Sequence, residues 1–80
     1  MTQYPDREVT ICDAVLKLMG DMDVSRDEVV WLIQNPETVE KGVPGRVYVR
    51  GYVPEAKLLV AECIVSADER RWHVVWVLEK

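Results

Sequence analysis

Eighty residues with 49% hydrophobic and 30% charged side chains amount to one globular domain spanning 1–80, neither disordered nor fibrous. No apolar run approaches the roughly 20 residues of a membrane-spanning helix, and the opening residues lack the pattern of a secretory leader, so a soluble cytoplasmic chain without membrane contact is expected. The net charge of −4 divides unevenly: residues 1–40 carry nine acidic and three basic side chains, residues 41–80 five acidic and seven basic, which excludes strong sequence-independent attraction to nucleic acid and assigns any basic surface to the second half.

Residues 1 to 8 are polar and read as a loose arm or a short edge strand. From Val9 onward, Ile11, Val15, Leu18, Met19 and Met22 recur at helical spacing, with Cys12 and Leu16 widening the stripe. This predicts a first helix ending near Gly20. After a turn through Asp21 and Asp23, Ser25-Arg26-Asp27-Glu28 is a capping box, in which the Ser and Glu side chains satisfy orphan N–H groups at a helix start. The second helix runs to about Gln34 with Val29, Leu32 and Ile33 inward, and Pro36 stops it. Residues 37–41 read as a short edge strand, followed by the turn Gly42-Val43-Pro44-Gly45. Strands are predicted over 46–53, 58–65 and 72–79, with connections short enough for antiparallel hairpins. The expected fold class is α+β: two N-terminal helices packed on one face of a three- to four-stranded antiparallel sheet.

Face parity carries the functional reading. Arg46, Tyr48, Arg50 and Tyr52 alternate with Val47, Val49, Gly51 and Val53, so one face of this strand is aliphatic and the other bears guanidinium and phenol groups. Pairing Val53 with Leu59, Val49 with Cys63 and Val47 with Val65 keeps apolar side chains together, and a one-residue slip would set Val49 against Glu62. The same logic puts Trp72, Val74, Trp76 and Leu78 on the core side, with Val49, Cys63 and Val74 buried together and Trp31 at the rim. On the outer face this register sets Arg50 across from Glu62 with Val75 beyond, and Tyr48 across from Ile64 with His73 beyond. Arg46 and Arg71 flank them, and Val60 and Val77 lie under Tyr52. Four aliphatics among Arg, Tyr, Glu and His are more than a solvated face usually carries.

Met19, Val24-Ser25, Asn35-Pro36, Gly45-Arg46 and Leu59-Val60 follow an order that resembles the small bacterial toxin-like domains sharing the RelE- and barnase-like nuclease architecture. In that family the first helix reads H-A-x-x-R-M-x-x-R-G-I-S. Aligned on Met19 and Val24-Ser25, this chain has Ala14 at the His, Leu18 at the first Arg, Met22 at the second Arg and Asp23 at the Gly. The resemblance implies the scaffold and Arg46; it implies no active site on this helix.

Glu62, His73, Arg46 and Arg50 have the residue types that metal-free RNA cleavage needs: a base, an acid and cations for the phosphorane. The alternative reading is an Arg50–Glu62 cross-strand pair of ordinary strength and a surface histidine. Tyr48 and Tyr52 suit stacking or protein contact. The acidic group Asp21, Asp23, Asp27 and Glu28 lacks calcium-loop spacing and reads as helix capping. Cys12 and Cys63 are expected reduced and buried; no metal site and no cofactor are expected. Three function classes follow. The first, leaning away from an enzyme, is a non-catalytic binding or regulatory module whose face of Arg46, Tyr48, Arg50, Tyr52 and His73 meets a protein partner or a second copy. The second is a divergent ribonuclease toxin acting on RNA, and the third an acidic inhibitor that mimics nucleic acid.

Overall fold

The capping box forms as its residue types require: Ser25 Oγ accepts from the Glu28 N–H at 3.1 Å, and Glu28 Oε1 accepts from the Ser25 N–H at 2.9 Å. It starts one of two helices in the computed structural model, which describes residues 3–80. Residues 1 and 2, the beginning of the expected polar arm, lie outside the described residues. The element order is β1 (Glu8–Ile11), α1 (Asp13–Asp21), α2 (Arg26–Gln34), β2 (Thr38–Lys41), β3 (Arg46–Tyr52), β4 (Leu58–Val65) and β5 (Arg71–Glu79). The strands form one sheet in the order β1-β5-β4-β3-β2. Helix α1 packs on β5 and α2 on β3 and β4. Val15, Met19, Val29, Leu32 and Ile33 meet Val49, Leu59, Cys63, Trp72 and Val74 in the core between them. Each such side chain contributes about 1.5–3 kcal/mol on burial, which is what holds so small a domain together.

The expected sheet is corrected in number and direction: it has five strands and is mixed, because β1 pairs parallel to β5, Val9 with Trp72 and Ile11 with Val74. Val9 and Ile11 belong to this strand and not to the helical stripe. Their spacing of two fits a strand as well as the edge of a helix, and a four-residue strand offers too few positions for the periods to separate. Helix α1 therefore starts at Asp13, not Val9.

A second correction concerns register. Strand β3 pairs with β4 as Val47–Cys63, Val49–Ala61 and Gly51–Leu59, two residues from the expected pairing. An even slip preserves faces, so hydrophobic alternation does not detect it. The turn decides: Val53 N–H donates to Lys57 O at 3.0 Å, with Ala56 left-handed at φ 62°. Gly51 permits the tight approach of α2 to this strand, since a Cβ there would meet Leu32 Cδ1 and the Glu37 backbone nitrogen at 3.2 Å.

The third correction lies in β5. Cys63 pairs with Val74 but Glu62 pairs with Trp76, so Val75 is an extra residue opposite no partner, a β-bulge. Beyond it the parity inverts. Val77 is fully buried and Trp76 is 41% exposed, the reverse of the expected assignment, and Leu78 also leaves the core side.

The arm ahead of β1 is fastened to the C-terminal end of α2. Tyr4 N–H donates to Gln34 O at 2.7 Å and Arg7 Nη1 to Ile33 O at 2.9 Å. The Arg7 guanidinium lies between Tyr4 and Trp72, 3.7 and 4.0 Å from the ring centroids, a cation in the favourable field of a helix C-terminus.

Candidate functional site: the open face of the sheet

The helices cover one face of the sheet only. On the other, the pairings set outward side chains into rows across the strands. One row runs Arg46, Ile64, His73 and Thr10. The next runs Glu40, Tyr48, Glu62 and Trp76, and the third Thr38, Arg50, Val60 and Leu78. Tyr52 and Leu58 begin the fourth. Tyr48, Ile64, Trp76 and Tyr52 are 40%, 43%, 41% and 56% exposed, a concentration of large apolar and aromatic groups that water does not favour.

All five sequence-predicted binding residues, Arg46, Tyr48, Arg50, Tyr52 and His73, stand on this face, with Glu62 among them. Their partners differ from expectation. Glu62 accepts from Arg46 Nη1 in a diagonal pair; in register it faces Tyr48, while Arg50 faces Val60. The two-residue slip thus dissolves the expected Arg50–Glu62 pair. His73 stands beside Ile64 as expected, but Arg46 and not Tyr48 is Ile64's partner on the other side; the His73 Nδ1 shares a 2.7 Å hydrogen bond with Thr10 Oγ1. The candidate base and acid of a ribonuclease are each held by another side chain.

Arg50 is the charged centre of what remains. It lines a 300 Å³ groove with Thr38, Glu40, Tyr48, Val60 and Lys80, and an adjoining 170 Å³ groove with Glu37, Thr38, Tyr52 and Leu58. Among the described residues the ion pairs are Arg46–Glu62 and Lys57–Glu28; Arg50 has none. Another cavity, of 390 Å³, lies at the other end of β3 between the 42–45 turn and the loop after β4, where Lys41, Arg46, Ser66 and Glu69 stand among small and aliphatic residues.

Chemistry elsewhere is structural. Cys63 is fully buried, and burial pushes its thiol up to about 12, so it is neutral near pH 7 and no nucleophile. Cys12 is unpaired but only partly buried, less than expected. Burial tends to raise the Glu28 carboxyl, yet the hydrogen bonds from Ser25 and Lys57 outweigh it and hold the group below its ordinary range. Among the described residues no three His, Cys, Asp or Glu side chains converge as metal ligands, and no helix is long and apolar enough to cross a membrane.

Sequence reasoning missed Trp76, Leu78 and Thr10 as members of this face. Val74-Val75-Trp76-Val77-Leu78 is apolar at every position, so no alternation marks the bulge. No protein-family model, no curated protein and no solved structure matches the chain.

Proposed function

We propose that the protein is a non-catalytic binding module that meets a protein partner, or a second copy of itself, through the open face of its sheet. The observation that carries this reading is the exposure of Tyr48, Tyr52, Ile64 and Trp76 together on a face that neither helix covers. Aromatic residues and arginine around an aliphatic centre are the composition of interface hot spots, whereas a face meant for water would carry Thr, Lys or Glu in place of Ile64 and Trp76. The chain's charge of −4 favours a protein over RNA as the occupant. The toxin-like scaffold remains a proposal resting on Met19, Val24-Ser25, Asn35-Pro36 and Gly45-Arg46, and the binding reading does not depend on it.

The test is sedimentation velocity over a wide concentration range, together with affinity capture from cells expressing the tagged chain, for wild type beside Trp76→Ala and Tyr48→Ala. Self-association, or a specific captured protein, that both substitutions abolish while the circular dichroism stays that of the wild type supports the reading. A wild-type chain that is monomeric at every concentration, and that captures the same proteins as Trp76→Ala and Tyr48→Ala, would sink it.

A further inference from the structure

We infer that the groove around Arg50 is the seat of a carboxylate side chain that a protein partner presents within an aliphatic segment. This rests on the binding reading above and says what chemistry the face selects. Sorting the polar groups of the face leaves a definite remainder. Glu62 is held by Arg46, His73 by Thr10, and Glu37 Oε2 accepts from the Tyr52 N–H at 2.6 Å. What stays without an ionic partner along the two adjoining grooves is Arg50 and Lys80 with the carboxylates Glu37 and Glu40, and Arg50 is the one cation that lines both grooves.

The surroundings set the geometry of what enters. Tyr48 and Tyr52 flank Arg50 two residues to either side on the same face of β3, about 7 Å away along the strand. An unpaired arginine placed between two phenols on an open face suits bidentate recognition of a planar carboxylate. Across the sheet the floor is Val60, with Leu78 beside it and Leu58 in the next row. An acid isolated among polar neighbours would leave that floor wet; an acid with aliphatic or aromatic neighbours covers it. The 300 Å³ groove is at the lower end of ligand-sized sites, about 300–1,000 Å³, and holds one side chain with part of its neighbours. A nucleic-acid phosphate would meet the same arginine. It would also bring its chain of like charges past Glu40 and an acidic protein, which a single carboxylate does not.

A displayed library of random linear peptides selected on the intact wild-type chain, on Arg50→Gln and on Arg50→Glu tests this. Wild type is expected to enrich peptides with Asp or Glu between aliphatic or aromatic residues, and their amide-shift perturbations should centre on Tyr48, Arg50 and Val60. Arg50→Gln should weaken the best of them about tenfold or more, and selection on Arg50→Glu should exchange the acid for Lys or Arg. Peptides that map to the open face without an acid, and bind Arg50→Gln equally well, overturn this inference and leave the binding reading standing. Enrichment of nothing, or only of peptides mapping elsewhere, counts against both. Tighter binding of oligouridylate than of any peptide, lost in Arg50→Gln, overturns the carboxylate assignment in favour of a phosphate.

Discussion

Trp72 and Trp76 lie four residues apart on β5 and on opposite faces of the sheet: Trp72 is 1% exposed in the core, Trp76 41% exposed on the open face. An even separation keeps two residues of a regular strand on one face. The unpaired Val75 changes the count, so the bulge opposite Glu62 and Cys63 is what brings an aromatic side chain to the open face. Bulges re-aim side chains in this way at some cost to the ladder. Burying Val77 in the place that Trp76 would have taken keeps the core filled.

Trp72→Ala should therefore destabilise the fold by about 3–5 kcal/mol, the usual cost of truncating a buried aromatic, and Trp76→Ala by less than about 1 kcal/mol. Urea titrations followed by circular dichroism measure both. Iodide should quench the fluorescence lost in Trp76→Ala and spare that lost in Trp72→Ala; equal quenching would place both indoles on one face.

Arg7 joins three parts of the molecule, stacking on Tyr4 and Trp72 and donating to Ile33 O. Its guanidinium is partly buried, and burial lowers its pKa from the usual value. Arg7→Ala should cost about 1–3 kcal/mol through the lost charged hydrogen bond and stacking. Arg7→Lys should recover less than half, because an ammonium group has no plane to lie between two rings. Full recovery by lysine in urea denaturation would show that charge alone matters.

The distance between what is legible in the sequence and what is not follows from period and symmetry. The capped start of α2 at Ser25, the outward set on β3 and the joint burial of Val49, Cys63 and Val74 are legible, because each rests on a local hydrogen bond or on parity over several residues. The identity of the pairs is not. A two-residue slip leaves every face unchanged, so parity sets Arg50 against Glu62 where the fold sets it against Val60. Parity also fails wherever one residue is added, and an all-apolar run such as residues 74–78 hides the addition. The parallel edge strand β1 escapes for want of length, and with it the Thr10 contact to His73.

Cys63 makes stability fall with alkalinity. Its thiol ionises near 12 in the fold against an ordinary 9.0, so below pH 9 it is protonated in both states and contributes no slope. Between about pH 9 and 12 the unfolded chain releases the proton first and stability declines, by at most about 1.4 kcal/mol per pH unit. Denaturant midpoints from pH 8 to 11 should drop more steeply for wild type than for Cys63→Ala. Parallel curves would show that the thiol is not shielded.

Purified protein should cleave RNA no faster than Glu62→Gln or His73→Ala controls. Transesterification by the 2′-hydroxyl needs a carboxylate or imidazole ready to take a proton and another group ready to give one. Here the Glu62 carboxylate is held by Arg46 and the His73 ring by Thr10, and the two stand in different rows of the face. Arg50, the cation that would meet a phosphorane, faces Val60 and not the candidate base. Each missing general acid or base typically costs about 10² to 10⁴ in rate, which leaves cleavage at the background of the preparation. Time courses on a fluorogenic oligoribonucleotide at several pH values measure it. A rate that follows a bell-shaped pH profile, and that His73→Ala abolishes while its circular dichroism stays that of the wild type, would establish catalysis on this face and displace the binding reading.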